Sequence, residues 1–339
     1  MNVALDGTPL TVGLGGIARY TAELHRALSA CFPADSFTLV SDQPDPPASW
    51  LERRWWTVGV QRAMGRLGAS LFHGADFAVP YLPLRPSVLT IHDLSPWKDP
   101  DWHCAAARVR RRTPFLVRLG LATMVITPSE AVRREAMERF RLAPSRVVAT
   151  PLAAAPHFRP VETPRGAYFL YVGALEPRKN LAMLVAAWRE VKRSHQVGLV
   201  IAGRRRADFP ALPEEPGLRL AGEVADDELP RLYSGALACV YPSLYEGFGL
   251  PVLEAMQCGA AVITSRDPAI TETAAGAALE IDARDARGWV EALRLAASNP
   301  ELLEELRALS LKRARQFSWE RTARLTYEVY QEAMARFGS

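Results

Sequence analysis

Two glutamates, Glu246 and Glu254, stand with seven residues between them on either side of Gly247-Phe248-Gly249-Leu250-Pro251. The stretch reads as a strand end, a glycine-rich turn and the start of a helix. Carboxylates so placed can point at one ligand and accept hydrogen bonds from vicinal hydroxyls of a sugar or ribose. Gly247, Phe248, Gly249 and Leu250 lie where free amides at a helix N-terminus can meet an anion. The plainer alternative is one glutamate at a helix start and a second in solvent, and spacing alone does not choose between them.

Glu176-Pro177-Arg178-Lys179-Asn180 reads as another strand-to-helix junction. Arg178, Lys179 and the helix amides behind them would clamp a diphosphate without a metal. A solvated basic turn is the rival reading. Gly13-Leu14-Gly15-Gly16 follows the first strand and opens a helix. Glycines there let backbone approach a diphosphate or sugar, although a tight turn needs them as well. No acidic residue closes a second strand at the place that a full dinucleotide fingerprint requires.

His92, followed by Asp93, sits at a strand end, where an imidazole can donate to a sugar hydroxyl or phosphate. His73 is a second candidate of the same kind, while His25, His103, His157 and His195 read as structural or surface residues. Asp99-Pro100-Asp101 matches a D-x-D metal motif in form but follows Pro96-Trp97-Lys98, as a surface loop would. Cys31, Cys104, Cys239 and Cys258 have neither metal-ligand nor disulfide spacing. No metal and no cofactor are expected.

These residues need elements to hold them. With 339 residues, 49% of them apolar, the chain is long enough for two cores. Short apolar runs (37–40, 87–91 and 124–127, then 168–173, 198–203, 237–241 and 261–264) alternate with stretches of helical period such as 19–30, 129–140 and 180–193. Strands without polar alternation imply parallel sheets covered on both faces. The pattern restarts after Pro160, and the proline-rich stretch 151–164 reads as the hinge. Domains 1–160 and 161–318 are expected, followed by a long amphipathic helix over 319–339. Ligands of such sheets bind beyond the carboxyl ends of the strands.

Charge narrows the partners. The net +4 is concentrated in the first 157 residues, which carry +5 against −1 in the remainder, so an anionic partner is expected there. Arg108, Arg110, Arg111, Arg112 and Arg118 crowd one stretch without an acid. On a helix all but Arg110 fall within roughly a 120° arc. Such a face suits anionic lipid headgroups, an anionic acceptor, or plain solvent. The N-terminus lacks a secretory pattern and no apolar run reaches the length of a spanning helix. A cytoplasmic enzyme is expected, peripheral to the inner face of a membrane if that face is used, with no nucleic-acid partner.

Taken together the motifs resemble glycosyltransferase family 4, the retaining nucleotide-sugar enzymes of GT-B fold with an E-x7-E signature. The resemblance covers nearly the whole chain. It includes the first glycine loop, Thr90-Ile91-His92-Asp93-Leu94, Ile126-Thr127-Pro128-Ser129, Tyr171-Val172-Gly173, Ala221-Gly222-Glu223-Val224 and the stretch 229–236. It implies two doubly wound Rossmann-like domains facing across a cleft, the N-terminal one for the acceptor and the C-terminal one for the donor. It implies that Glu254 holds the ribose and Glu246 the transferred sugar. Arg178 and Lys179 take the diphosphate, Gly15 and Gly16 lie beside the phosphates, Val224 meets the base, and His92 reaches the sugar. The last helix crosses back to the N-domain. Transfer retains anomeric configuration without a metal. The Leu-Glu-Pro-Arg-Lys-Asn form of the clamp is similar to bacterial polysaccharide mannosyltransferases, which favours GDP-mannose and a glycan or lipid-linked acceptor. A UDP-sugar with a small-molecule acceptor, or a non-catalytic nucleotide-sugar-binding protein, stand as alternatives. Where many members have Gly-Arg this chain has Gly173-Ala174, so the clamp is expected to be one cation poorer.

Overall fold

A computed structural model describes residues 1–11, 15–42, 53–103, 106–207 and 209–337. Gly13 and Leu14 of the glycine turn, and Cys104, lie outside the described residues. The chain forms two α/β units, Met1–Leu152 with Ser318–Ser339, and Ala153–Phe317.

The first unit has six strands: β1 (Asn2–Asp6), β2 (Ser36–Val40), β3 (Leu71–Gly74), β4 (Ser87–Thr90), β5 (Met124–Thr127) and β6 (Val147–Ala149). They pair in the order β2-β1-β3-β4-β5-β6, every pair parallel. The second has β7 (Tyr168–Val172), β8 (Gly198–Ala202), β9 (Leu218–Gly222), β10 (Ala238–Tyr241), β11 (Val262–Ser265) and β12 (Leu279–Ile281). Their order is β12-β11-β10-β7-β8-β9, again all parallel. The central strands β3, β4, β5, β10 and β11 are buried throughout, as their continuous apolar character requires. Helix Glu130–Phe140 starts where Ser129 caps it, the hydroxyl accepting from the Val132 amide at 3.2 Å.

The division between the units falls at Leu152, eight residues before the expected boundary. Ala153, Ala154, Ala155 and Phe158 are buried in the second unit. The Gln257 side chain fixes this stretch by donating to the carbonyls of Ala155 (3.1 Å) and Phe158 (2.7 Å).

Helix Trp319–Arg336 packs within the first unit. Tyr327 stacks on Phe32 at 3.8 Å and donates to Asp35 at 2.6 Å. Thr322 donates to the Pro151 carbonyl at 2.6 Å. Tyr330 lies 2.6 Å from His73 Nδ1, and His73 Nε2 lies 2.7 Å from the Thr90 hydroxyl. His73 is therefore a bolt between strand and helix, fully buried, and its candidacy for chemistry ends there. Burial, with the nearby charge of His92 adding to it, holds its pKa down at about 3.

This has a consequence for acid stability. Unfolded, the histidine titrates at its ordinary value of 6.5. Below that pH the unfolded chain takes up a proton that the folded chain refuses until about 3, so stability falls as pH drops through this window. The slope is at most about 1.4 kcal/mol per pH unit. Urea titrations at pH 7, 6 and 5 are expected to show this loss, and His73→Gln to flatten it. Equal slopes in both proteins would contradict the assignment.

Candidate active site

In the second sheet β7 and β10 are neighbours although the chain visits β8 and β9 between them. The strand order reverses there, and a crevice opens beyond the carboxyl ends of those two strands. The turns leaving them carry the predicted clamp and the first glutamate.

Residues 177–179 form a single 3-10 turn, and Asn180 follows it in the left-handed region at φ 57°. Its side-chain amide donates to the carbonyls of Ala283 (2.7 Å) and Pro242 (3.3 Å), and the Leu244 amide donates to the Arg178 carbonyl at 2.8 Å. The two turns are thereby held side by side. The turn after β8 packs closely on the first of them, since a Cβ on Gly203 would lie 2.0 Å from the Gly173 carbonyl oxygen.

Glu246 is gripped from two sides. Arg178 Nη1 donates to its Oε2 at 2.9 Å and to the Tyr245 carbonyl at 2.9 Å, and Lys179 Nζ donates to its Oε1 at 2.6 Å. Burial would raise this carboxyl, but the charges of Lys179 and Arg178 outweigh it and bring the pKa down to about 2. The Glu246 amide donates to Asp267 at 3.2 Å, and Asp267 also caps helix Pro268–Ala274. Burial, then the charge of Glu246, pushes Asp267 up to about 7.

The array extends further than the sequence indicated. Glu176 Oε1 lies 2.7 Å from Arg178 Nε, and its Oε2 accepts from Arg206 Nη1 at 3.2 Å. Three cations thus alternate with two carboxylates in the order Arg206, Glu176, Arg178, Glu246, Lys179. Arg206 enters because Leu175 pairs with Arg205 just beyond the ends of β7 and β8. The only sequence signal for it was Arg204-Arg205-Arg206 after a strand, which does not say which arginine turns inward. Asp267 gave no signal beyond that of a helix cap.

Glu254 lies in helix Leu250–Gln257, which starts from Gly249 in the left-handed region at φ 84°. It is buried, and Tyr233 donates to its Oε2 at 3.2 Å. Gly247 and Phe248 are also buried. The Phe248 ring packs edge-on to Phe317 at 5.8 Å and its carbonyl accepts from Thr273 at 2.6 Å, which fixes the turn. Val224 is part-exposed, two residues beyond β9.

The remaining candidates fall in the first unit. Gly15 precedes helix Gly16–Cys31 with φ 154°, so its backbone calls for glycine. Gly16 has no such conformation, and a Cβ on it would meet nothing within 4 Å. His92 lies beyond β4, its Nε2 2.7 Å from the Ala75 carbonyl, so that Nε2 carries the proton. Asp99 accepts the Asp101 amide at 2.9 Å and caps a 3-10 turn, and no three His, Cys, Asp or Glu side chains among the described residues group as metal ligands.

In helix Ala107–Arg118, Arg108, Arg111 and Arg118 are exposed together with Phe115 and Leu119, each of these two 60% accessible. Arg112 departs from the expected common face. It is part-buried, its guanidinium 5.4 Å over the Trp56 ring. Pro114 does not break the helix. The carbonyl of Arg110, which a proline at 114 leaves without its helical donor, accepts from Trp97 Nε1 at 3.3 Å.

Residues 157–313 match the family model of glycosyl transferases group 1. Over 98% of this chain and the whole of the relative, the protein is 28% identical to O-antigen chain mannosyltransferase B of Escherichia coli. Its fold resembles sucrose-phosphate synthase of Thermosynechococcus elongatus (TM-score 0.76, 20% identity, 99% of each chain). It also resembles the Anabaena protein HepE in complex with UDP-glucose (TM-score 0.71, 16% identity, 98% of this chain and 99% of that one).

The gripped glutamate makes a testable contribution to stability. Removing one partner from a largely buried ion pair costs about 3 kcal/mol, so Glu246→Ala is expected to lower the unfolding free energy by that order at pH 7. Because the folded pKa is depressed from 4.5 to about 2, this contribution is full above 4.5 and fades as pH falls towards 2. Urea melts at pH 7 and pH 4 should show the gap between variant and wild type narrowing. A constant gap would remove the ion pair as its cause.

Proposed function

We propose that this protein, a glycosyltransferase of GT-B fold, moves mannose from GDP-mannose to a glycan or lipid-linked acceptor, with retention of configuration and without a metal. The observation that carries the reading is the alternating charge array at the crevice of the second sheet.

A nucleotide-sugar transfer breaks the bond between the sugar C1 and the phosphate oxygen, and the diphosphate leaves with the electron pair. The charge that grows there needs positive groups already in place. Arg178, Lys179 and Arg206 are such groups, and their carboxylate partners hold them oriented before any ligand arrives. Arg206 makes up for the cation that Ala174 withholds. The sugar then takes the acceptor oxygen on the face the diphosphate vacates, and the acceptor proton passes to the leaving phosphate. Glu246 is a poor nucleophile for a two-step route, since a carboxylate with a pKa of about 2, both oxygens engaged, has little basicity. It serves instead to orient the cations and to accept from sugar hydroxyls. Glu254 binds the ribose. Gly15 and Gly16 let the phosphates come close, and the glycine at 16, required by neither backbone nor neighbours, fits that use. His92 donates to the transferred sugar once its Nε2–H is released from the Ala75 carbonyl.

The mannosyltransferase relative supports mannose. A UDP-sugar is the second reading, favoured by the likeness to HepE, whose structure holds UDP-glucose. Thermal-shift measurement with GDP, UDP and ADP separates them, since a ligand at a hundredfold its Kd stabilises by about 2.7 kcal/mol. Lys179→Ala is expected to cut turnover by roughly 10²-fold or more, in an assay that gives the same wild-type rate with and without EDTA. Turnover within twofold of wild type, or a loss in EDTA restored by Mg²⁺ or Mn²⁺, would overturn the mechanism.

No helix among the described residues is long and apolar enough to cross a membrane. The exposed face of Arg108, Arg111, Phe115, Arg118 and Leu119 nonetheless suits an anionic bilayer surface. Each basic residue close to such a surface contributes about 1 kcal/mol, screened within a Debye length. Reversible, salt-sensitive attachment is expected. In vesicle co-sedimentation, Arg108, Arg111 and Arg118 changed together to Ser should abolish binding to anionic vesicles at low salt. Undiminished binding of that variant would end the idea.

A further inference from the structure

Between Arg178 and Asp267 stands one peptide group, the bond from Tyr245 to Glu246. Its carbonyl oxygen, that of Tyr245, accepts from Arg178 Nη1 at 2.9 Å. Its N–H, that of Glu246, donates to Asp267 Oδ2 at 3.2 Å. A cation, a peptide and a carboxylate are thus joined in series. A negative charge at the N–H draws the peptide's electrons towards its oxygen, so each of the two hydrogen bonds strengthens the other.

Asp267 is firmly held for this. It lies between β11 and helix Pro268–Ala274, and it is buried. Its other oxygen, Oδ1, accepts the amides of Ala269 at 3.0 Å and Ile270 at 3.1 Å. Capping a helix needs one side-chain oxygen, and serine or asparagine supplies it as well as aspartate does. A second acceptor, aimed at the amide of Glu246, is what the carboxylate adds. The same helix grips the glycine turn again near its far end, where Thr273 donates to the Phe248 carbonyl at 2.6 Å.

We infer that Asp267 is a positioning residue for the transfer: through the Tyr245–Glu246 peptide it sets the Arg178 guanidinium for the diphosphate. The inference rests on the glycosyl-transfer reading and adds to it a residue outside the charge array. A hydrogen bond to an ionised acceptor is about twice as strong as one to a neutral acceptor, so the hold depends on the charge of Asp267. Burial, then the charge of Glu246, raises its carboxyl to about 7, while the three amides it accepts pull the other way. The other charged groups on the elements around it are engaged. Glu254 accepts from Tyr233, Arg313 donates to the carbonyls of Glu272 and Thr273, and Arg178 and Lys179 are bonded to Glu246. Arg266, next to it in the chain, is exposed, and Glu272 is part-exposed. Asp267 therefore gains a proton as pH falls through about 7, and its hold on Arg178 weakens there.

The test compares the full wild-type chain with Asp267→Ser and Asp267→Asn, both of which keep an oxygen for the helix cap. Release of GDP from GDP-mannose and of UDP from UDP-glucose is measured at pH 6, 7 and 8. At pH 8 both variants are expected to lose about tenfold or more in kcat, with the donor KM within about threefold, because the charge that Arg178 meets grows as the diphosphate leaves. The ratio of wild-type to variant kcat is expected to fall by about threefold or more from pH 8 to pH 6. A residue that only capped a helix would change stability and not this ratio. A ratio constant with pH, or variant kcat within twofold of wild type, would overturn the inference. Where a variant does not fold, the wild type still decides. In the ligand-free protein labelled with 15N, the Glu246 amide and the Arg178 side-chain resonances are expected to move together, with a midpoint near pH 7. An Arg178 resonance that stays in place across that range overturns the inference equally. This measurement needs no donor. Failure of the wild type to release nucleotide from either donor would count against the transfer reading alone, while the resonances decide whether Asp267 acts on Arg178.

Discussion

One carboxylate, Glu246, held between Lys179 at 2.6 Å and Arg178 at 2.9 Å, is the interaction around which the second unit is arranged. Largely buried charges are tolerated only when their partners are in place. The turn after β7 and the turn after β10 must therefore meet, and the Asn180 side chain, donating to the Pro242 carbonyl, and the Leu244 amide, donating to the Arg178 carbonyl, bring them together. Asp267 holds the Glu246 backbone from the far side, and Glu176 carries the array on to Arg206. In the proposed transfer a diphosphate would meet cations whose rotamers are already set, so that little reorganisation is left for the transition state to require.

The two units share one architectural rule. Both sheets are wholly parallel, and both reverse strand order once, which opens a crevice at the carboxyl ends of two central strands. In the second unit that crevice is rich in cations balanced by carboxylates. In the first, Asp6 ends β1 and Asp76 follows β3 by two residues.

Acidic polar groups in the first unit are matched by a core that depends on its last helix. Tyr330 and Thr90 hold His73 from either side, Tyr20 reaches the same threonine at 2.9 Å, and Trp319 packs against Tyr20. A histidine so buried is held neutral, and an acid-dependent loss of stability is expected of this core.

The sequence by itself determined what depends on local period and local chemistry. Continuous apolar runs specify parallel strands, since both faces of each strand are buried, and the runs read at 124–127 and 168–173 form the strands Met124–Thr127 and Tyr168–Val172. Ser129 reads as a cap from its position before a helical period. Glu246, Arg178 and Lys179 read as candidates for one site because turns beyond strand ends are where ligand-binding groups collect, and these three meet. Only the tertiary structure decided which turns meet. Sheet order pairs β7 with β10 across some 65 residues of chain, and no periodicity carries that information. Arg206 joins Glu176, and Arg112 turns from the basic face onto Trp56, through contacts between elements distant in sequence.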